Sequence, residues 1–190
     1  MEAARRKPRS DATRNRERLI EAAKTVLAGG GPGASLEAVA READVGIGTL
    51  YRHFPTREAL FQAVYRREVE QLIELADALK VQSSALEALK KWLHALVDLV
   101  ETKRGLLGTL SIVPTEGSKA LYAEVSGRLK EAVRQLLAHG VATGEIRSDI
   151  TADDLLSTAY AVGYGHQPGP GWKPHVLRIV DIFLDGLKAR

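Results

Sequence analysis

Apolar residues recur three and four positions apart along most of the chain, and strand-like alternation is nearly absent, so the pattern predicts an all-helical protein. Leu19, Ile20, Ala23 and Leu27 mark a first helix that stops at Gly29-Gly30-Gly31-Pro32-Gly33. Ser35 is a fair N-cap for a short second helix with Leu36, Val39, Ala40 and Ala43 inward, ending near Asp44. A third short helix covers about Gly46 to His53 and is broken by Pro55. Thr56 then caps a long fourth helix with Phe61, Val64, Tyr65, Val69, Leu72, Ala76 and Leu79 inward.

The same logic carries on to the end of the sequence. Ser84 and Glu87 are spaced as a capping box for a fifth helix, which Gly105 is expected to end. A brief helix is expected from Leu106 to Ile112, and a longer one from about Ser118 to His139, closed by Gly140 to Gly144. Thr151 with Asp154 marks another start, leading through Leu155, Leu156, Ala159 and Val162 to Gly163. The segment from Gly165 to Pro174 is the richest Gly/Pro stretch and reads as a loop, with Pro174 opening a last helix. That gives about nine helices. The last of them carries Val176, Ile179, Val180, Phe183, Leu184 and Leu187, which is apolar on more than one side and calls for cover from a partner chain.

Composition narrows the function. Hydrophobic residues are 45% of the 190-residue chain and charged residues 27%, and no apolar run approaches the roughly 20 residues of a membrane helix. The basic beginning is followed by no apolar signal core, so a cytoplasmic protein without membrane attachment is expected. The absence of cysteine excludes disulfides, thiolate zinc sites and cysteine redox sensing. The net charge of +3 sits wholly between Met1 and Phe54, and Arg5, Arg6, Lys7 and Arg9 form a basic arm suited to phosphate. From charge alone, a solvated tail is an equal reading.

The segment Ser35 to Leu60 reads SLEAVAREADVGIGTLYRHFPTREAL. Two short helices around a tight turn build little core by themselves, but one can brace across a DNA backbone while the other lies in the major groove. In the second, Leu50 and Phe54 are four apart and face the core, which leaves polar tips of Thr49, Tyr51, Arg52 and His53 outward. Arg52 is suited to guanine or phosphate, and a Tyr hydroxyl or His nitrogen to phosphate oxygens. The segment resembles the TetR-family helix-turn-helix in Ser35, Val39-Ala40, Val45, Gly48-Thr49-Leu50-Tyr51, His53-Phe54, Arg57-Glu58 and Leu60, and the specific resemblance covers residues 14 to 61. The resemblance implies DNA contacts by Thr49, Tyr51 and His53 and a phosphate contact by Arg57. The candidate DNA-binding set is therefore Ser35, Ile47, Gly48, Thr49, Tyr51, Arg52, His53 and Arg57. Two positions depart from the family pattern. Asp44 stands where Gly is usual in the turn, and Gly46 where Ser or Thr often caps the recognition helix. Asp tolerates the left-handed conformation better than most residues, and Gly is an acceptable cap.

Other signals fail. The glycines at 29 to 33 lack the Lys-Ser or Lys-Thr of a P-loop, no two of the five histidines stand at i and i+4, and no Gly-x-Ser-x-Gly occurs. No catalytic residue, metal or cofactor is assigned, and an enzyme is not expected. The resemblance implies a domain over 1–56 that reads DNA and one over 57–190 that dimerises and binds an effector. Trp92, Arg104, Tyr122 and Tyr160 are scarce polar or aromatic groups that suit an effector cavity, although Trp92 and Tyr122 are more often core or interface fillers. The homodimer interface is assigned to Leu155, Ala159, Val176, Ile179, Val180, Phe183, Leu184 and Leu187. The function expected is a repressor bound to a palindromic double-stranded operator and released by a small molecule. An architectural DNA-binding protein without an effector is the alternative.

Overall fold

The computed structural model describes residues 7–28, 34–81, 84–110, 115–167 and 169–189. Eight helices are named among them: α1 (Lys7–Ala28), α2 (Leu36–Glu42), α3 (Ile47–His53), α4 (Arg57–Leu79), α5 (Ala85–Leu110), α6 (Glu116–Ala142), α7 (Ala152–Gly165) and α8 (Trp172–Asp185). They fall into two compact units. One comprises residues 1–67 and 102–115, the other 68–101 and 116–190. None of the described helices is long and apolar enough to cross a membrane. The glycine-rich stop at 29–33 lies outside the described residues.

In the first unit α1 packs on both α2 and α3. Leu19, Ala23 and Leu27 of α1 are buried with Val39 and Ala40 of α2, Leu50 of α3, Phe54, and Leu60, Phe61 and Val64 of α4. Helices of seven residues are too short to persist alone, so this shared apolar centre is what holds α2 and α3. Local chemistry sets their ends. The hydroxyl oxygen of Ser35 accepts from the Ala38 N–H at 3.1 Å. Asp44 takes the turn at φ 50°, in the left-handed region that the pattern demanded there. Gly46 caps α3 with no side-chain bond.

The second unit buries Val69, Leu72 and Ala76 of α4 with Leu89, Trp92, Leu93 and Leu96 of α5, Val125, Leu129, Val133 and Leu136 of α6, Leu155 and Ala159 of α7, and Val176, Val180 and Leu184 of α8. At about 1.5–3 kcal/mol for each large side chain taken from water, this core is what offsets the entropy of ordering the chain. Two indoles are satisfied by backbone. Trp92 Nε1–H donates to the Leu72 carbonyl at 2.9 Å, and Trp172 Nε1–H to that of Gly163 at 3.0 Å. Gly140 is needed for close approach, since a Cβ there would lie 2.4 Å from Ile146 Cδ1 and 3.1 Å from Ala85 Cβ. An isolated antiparallel bridge pairs Ile146 with Lys188 and fastens the segment after α8.

Three expectations about the helices change. The brief helix from Leu106 is no separate element, because α5 runs on through Gly105 to Leu110. A single interior glycine costs only about 1 kcal/mol, and the burial of Leu106 and Leu110 outweighs it. α6 likewise passes Gly140. The last helix starts at Trp172 rather than Pro174, because proline is tolerated in a first turn whose N–H groups have no partner within the helix, and the buried Trp172 anchors that turn.

Candidate nucleic-acid interface

The recognition surface is built by what lies beneath it. Leu50 and Phe54 are 1% and 2% exposed, so their helix is fixed in rotation about its axis. The residues between and before them then face outward: Tyr51 is 47% exposed, Ile47 38%, Arg52 is exposed, and Thr49 and His53 are half-buried. Ile47 presents an apolar side chain on the same face, and Gly48 has open space where a Cβ would stand.

Ser35 and the charge of Arg57 both act on Glu37 in the first turn of α2. The Glu37 carboxyl is held below its ordinary range by its own backbone N–H, then by the Ser35 hydroxyl, with the charge of Arg57 adding to both. Ser35 is therefore committed to the cap through its oxygen and to Glu37 through its proton. Arg57 is exposed, and its Nη1 donates to the Leu110 carbonyl at 3.4 Å, a long bond that leaves most of the guanidinium for another acceptor.

Two arginines of α1, Arg16 and Arg18, engage the turn before α3 and the residue that ends it. Arg18 Nη2 lies 3.1 Å from Asp44 Oδ2, so α1 neutralises the carboxylate of the turn. Arg16 places its guanidinium 5.3 Å from the centre of the Phe54 ring. No local signal pairs residues 26 positions apart. The departure of Asp44 from the usual glycine was the one hint that something must answer its charge. Of the basic arm, Arg5 and Arg6 lie outside the described residues, and Lys7 and Arg9 fall on the first turn of α1.

The model for the tetR family of bacterial regulatory proteins matches residues 19–64, and that for the C-terminal domain of SbtR-like transcriptional regulators matches residues 84–189. The chain belongs to the TetR family of transcriptional regulators. A solved TetR regulator from Streptomyces coelicolor is 34% identical and superposes with a TM-score of 0.77, covering 92% of this chain and 98% of its own. A curated helix-turn-helix transcriptional regulator from Staphylococcus aureus is 27% identical over 84% of this chain and 87% of its own length. A regulator from Saccharomonospora viridis, solved in complex with choline, shares the fold at 19% identity and a TM-score of 0.64, covering 92% of this chain and 98% of its own.

In this TetR-family regulator the four effector candidates do not fall in one unit. Arg104 belongs to the first, and Trp92, Tyr122 and Tyr160 to the second. Trp92 is fully buried with its N–H bonded, which makes it a core residue. Tyr122 and Tyr160 are half-buried, and burial raises the pKa of the Tyr160 hydroxyl. The helices assigned to pairing divide in a similar way. Leu155, Ala159, Val176, Val180, Leu184 and Leu187 are buried within the chain's own fold, so not all of them need a partner's cover. Ile179 and Phe183 are half-buried, and Ile182, outside the pairing set expected from sequence, is 66% exposed. Ile179, Ile182 and Phe183 stand at i, i+3 and i+4, one outward stripe on α8.

Proposed function

We propose that this TetR-family regulator is a cytoplasmic repressor that binds a palindromic operator as a homodimer and leaves it when a small molecule binds the second unit. The observation that carries the reading is the outward face of α3, where Thr49, Tyr51, Arg52 and His53 stand over the buried Leu50 and Phe54. Thr49, Tyr51 and His53 position the helix on phosphates, and Arg52 and Ile47 read base edges in the major groove. Gly48 lets the backbone approach. Ser35 sets the start of α2, and Arg57 meets a phosphate.

One recognition helix spans only a few base pairs, so specific binding calls for two. The stripe of Ile179, Ile182 and Phe183 on α8 supplies the two-fold contact. The choline found in the Saccharomonospora viridis neighbour, together with the half-buried Tyr122 and Tyr160, supports a small effector. α4 runs as one helix from Arg57 to Leu79, and its first half belongs with the recognition helix, so a shift of α4 carries the signal. By linkage, effector and operator weaken each other's binding by the same factor.

The test is a fluorescence-anisotropy titration of duplexes from the DNA upstream of the protein's own gene, alongside sedimentation of the free protein. A dimer in solution with tight, salt-dependent binding to an inverted repeat is expected. A monomer at micromolar concentration that binds an asymmetric site specifically overturns it.

A further inference from the structure

We propose that α8 pairs antiparallel with α8 of a second copy, with the two-fold axis beside Ile182, and that an ion pair between Arg178 and the partner's Asp185 on each side sets this register. The inference rests on the homodimer proposed above and adds the direction, the register and the groups that decide them. Arg178, Ile182 and Asp185 stand at i, i+4 and i+7 on α8, so a basic, an apolar and an acidic residue form one line along the helix. All three are exposed. About 10 Å of helix axis separates the two charges, with Ile182 between them.

The order of charges along this line selects the arrangement. Two copies set parallel and in register place arginine over arginine and aspartate over aspartate, whereas an antiparallel pair centred beside Ile182 places each Arg178 opposite the partner's Asp185. Asp181 does not compete for that contact. Its carboxylate is turned to α5, where His94 Nε2 lies 2.7 Å from Oδ1 and Lys90 Nζ 3.3 Å from Oδ2. Arg178 Nη2 lies 3.0 Å from Nδ1 of His175 and meets no carboxylate among the described residues. Asp185 holds Lys188 at 2.7 Å, but both side chains are exposed and such a pair is worth little in water.

The apolar surface fits the same register. In the antiparallel copy the partner's Ile179 falls level with the last turn of α8, beside an open recess of about 540 Å³ lined in part by Ile150, Ile182, Phe183, Gly186 and Leu187. Gly186 sets no side chain in its way. Two charged residues of the recess, Arg147 and Asp149, bond each other at 2.6 Å. Seating Ile179 there from each side takes the outward stripe of both copies out of water.

The stripe supplies affinity and the flanking charges supply choice of partner. A chain with a similar apolar stripe but another order of charges meets like charge on both sides of the axis, so the ion pairs favour a second copy of this chain over a mixed dimer.

The experiment is sedimentation of the full chain and of two charge reversals, alone and mixed, with circular dichroism to check that each is folded. Arg178→Glu sets acid against acid on both sides of the axis, and Asp185→Arg sets base against base. Each alone should weaken the dimer about tenfold at low salt, because two attractions become two repulsions. Mixed in equal amounts, the two variants should recover a dimer of nearly unaltered affinity, since every pair across the axis is again of opposite charge. The chain has no cysteine, so Ile182→Cys gives a second reading. Oxidation should join two copies through one disulfide, which requires Cα atoms within about 7 Å. A dimer that neither reversal weakens, a mixture that does not recover, or a dimer that Ile182→Cys does not cross-link overturns the register and leaves the homodimer standing. An unaltered protein that sediments as a monomer overturns the homodimer and this register with it.

Discussion

The two units differ in what decides which side chains face outward. In the first, Leu50 and Phe54 lie one and three positions from Tyr51, and their burial settles the exposure of every neighbour on α3. In the second, the deciding contacts come from far along the chain. The amides of Ala85 and Leu86 at the start of α5 are capped by Glu145, at 3.2 and 3.4 Å. His94 on α5 meets Asp181 on α8 at 2.7 Å. A surface fixed by adjacent residues can be read from spacing, and one fixed by distant partners cannot.

The largest effects separate core from surface within each unit. Phe54→Ala and Trp172→Ala should each cost about 3–5 kcal/mol, since each removes a buried aromatic. Phe54→Ala should also abolish DNA binding, because the rotation of α3 is lost with it. Urea denaturation of both variants checks this; a loss below about 1 kcal/mol for either would show that its ring is not part of a packed core.

Next in size is the surface of α3. Tyr51→Ala should weaken operator binding by about tenfold or more, the worth of a hydrogen bond to a charged phosphate, with no change in the denaturation midpoint. Arg57→Ala should weaken it less and lower the salt slope by about one unit. Unaltered affinity at matched salt, with the fold intact, would move both residues off the interface.

How far the sequence could be read follows the same division. The short helices α2 and α3, the left-handed Asp44 and the uncapped Gly46 follow from local pattern, as does the reciprocal cap of α7, where Thr151 and Asp154 bond each other's backbone. The fifth helix shows the limit. Ser84 accepts from the Glu87 N–H at 3.4 Å as expected, but the carboxylate that completes this cap belongs to Glu145. The outward stripe of α8 is only half legible in sequence, because apolar residues on more than one side of the helix give no sign of which are covered until the packing exists.

The caps come third. Thr151→Ala should cost about 0.5–2 kcal/mol by removing an N-cap. Glu145 adds a dependence on pH. Its carboxyl is held below the ordinary range, chiefly by the Ala85 N–H, so its contribution is present above the unfolded carboxylate range of about pH 4–5 and is lost as pH falls through the lower folded value. Glu145→Gln should therefore narrow the gap between the denaturation midpoints at pH 7 and pH 3. An unchanged gap would show that the cap carries no titration.

The smallest effect asks whether the first unit is as local as its pattern suggests. Arg18 and Asp44 lie on different helices, and with Asp44 91% exposed the pair is worth only about 0.2–1 kcal/mol to folding. Against DNA the balance differs, because an unpaired carboxylate at the turn repels the phosphates that the recognition surface is meant to hold, and less water remains there to screen it. Arg18→Ala should thus lower operator affinity more than it lowers stability. Asp44→Gly should restore part of that loss, since it removes the exposed charge and takes the left-handed turn at no cost. The double variant is the decisive measurement. If Arg18→Ala with Asp44→Gly binds no better than Arg18→Ala alone, the arginine serves DNA directly rather than by masking Asp44, and the charge of the turn has no part in recognition.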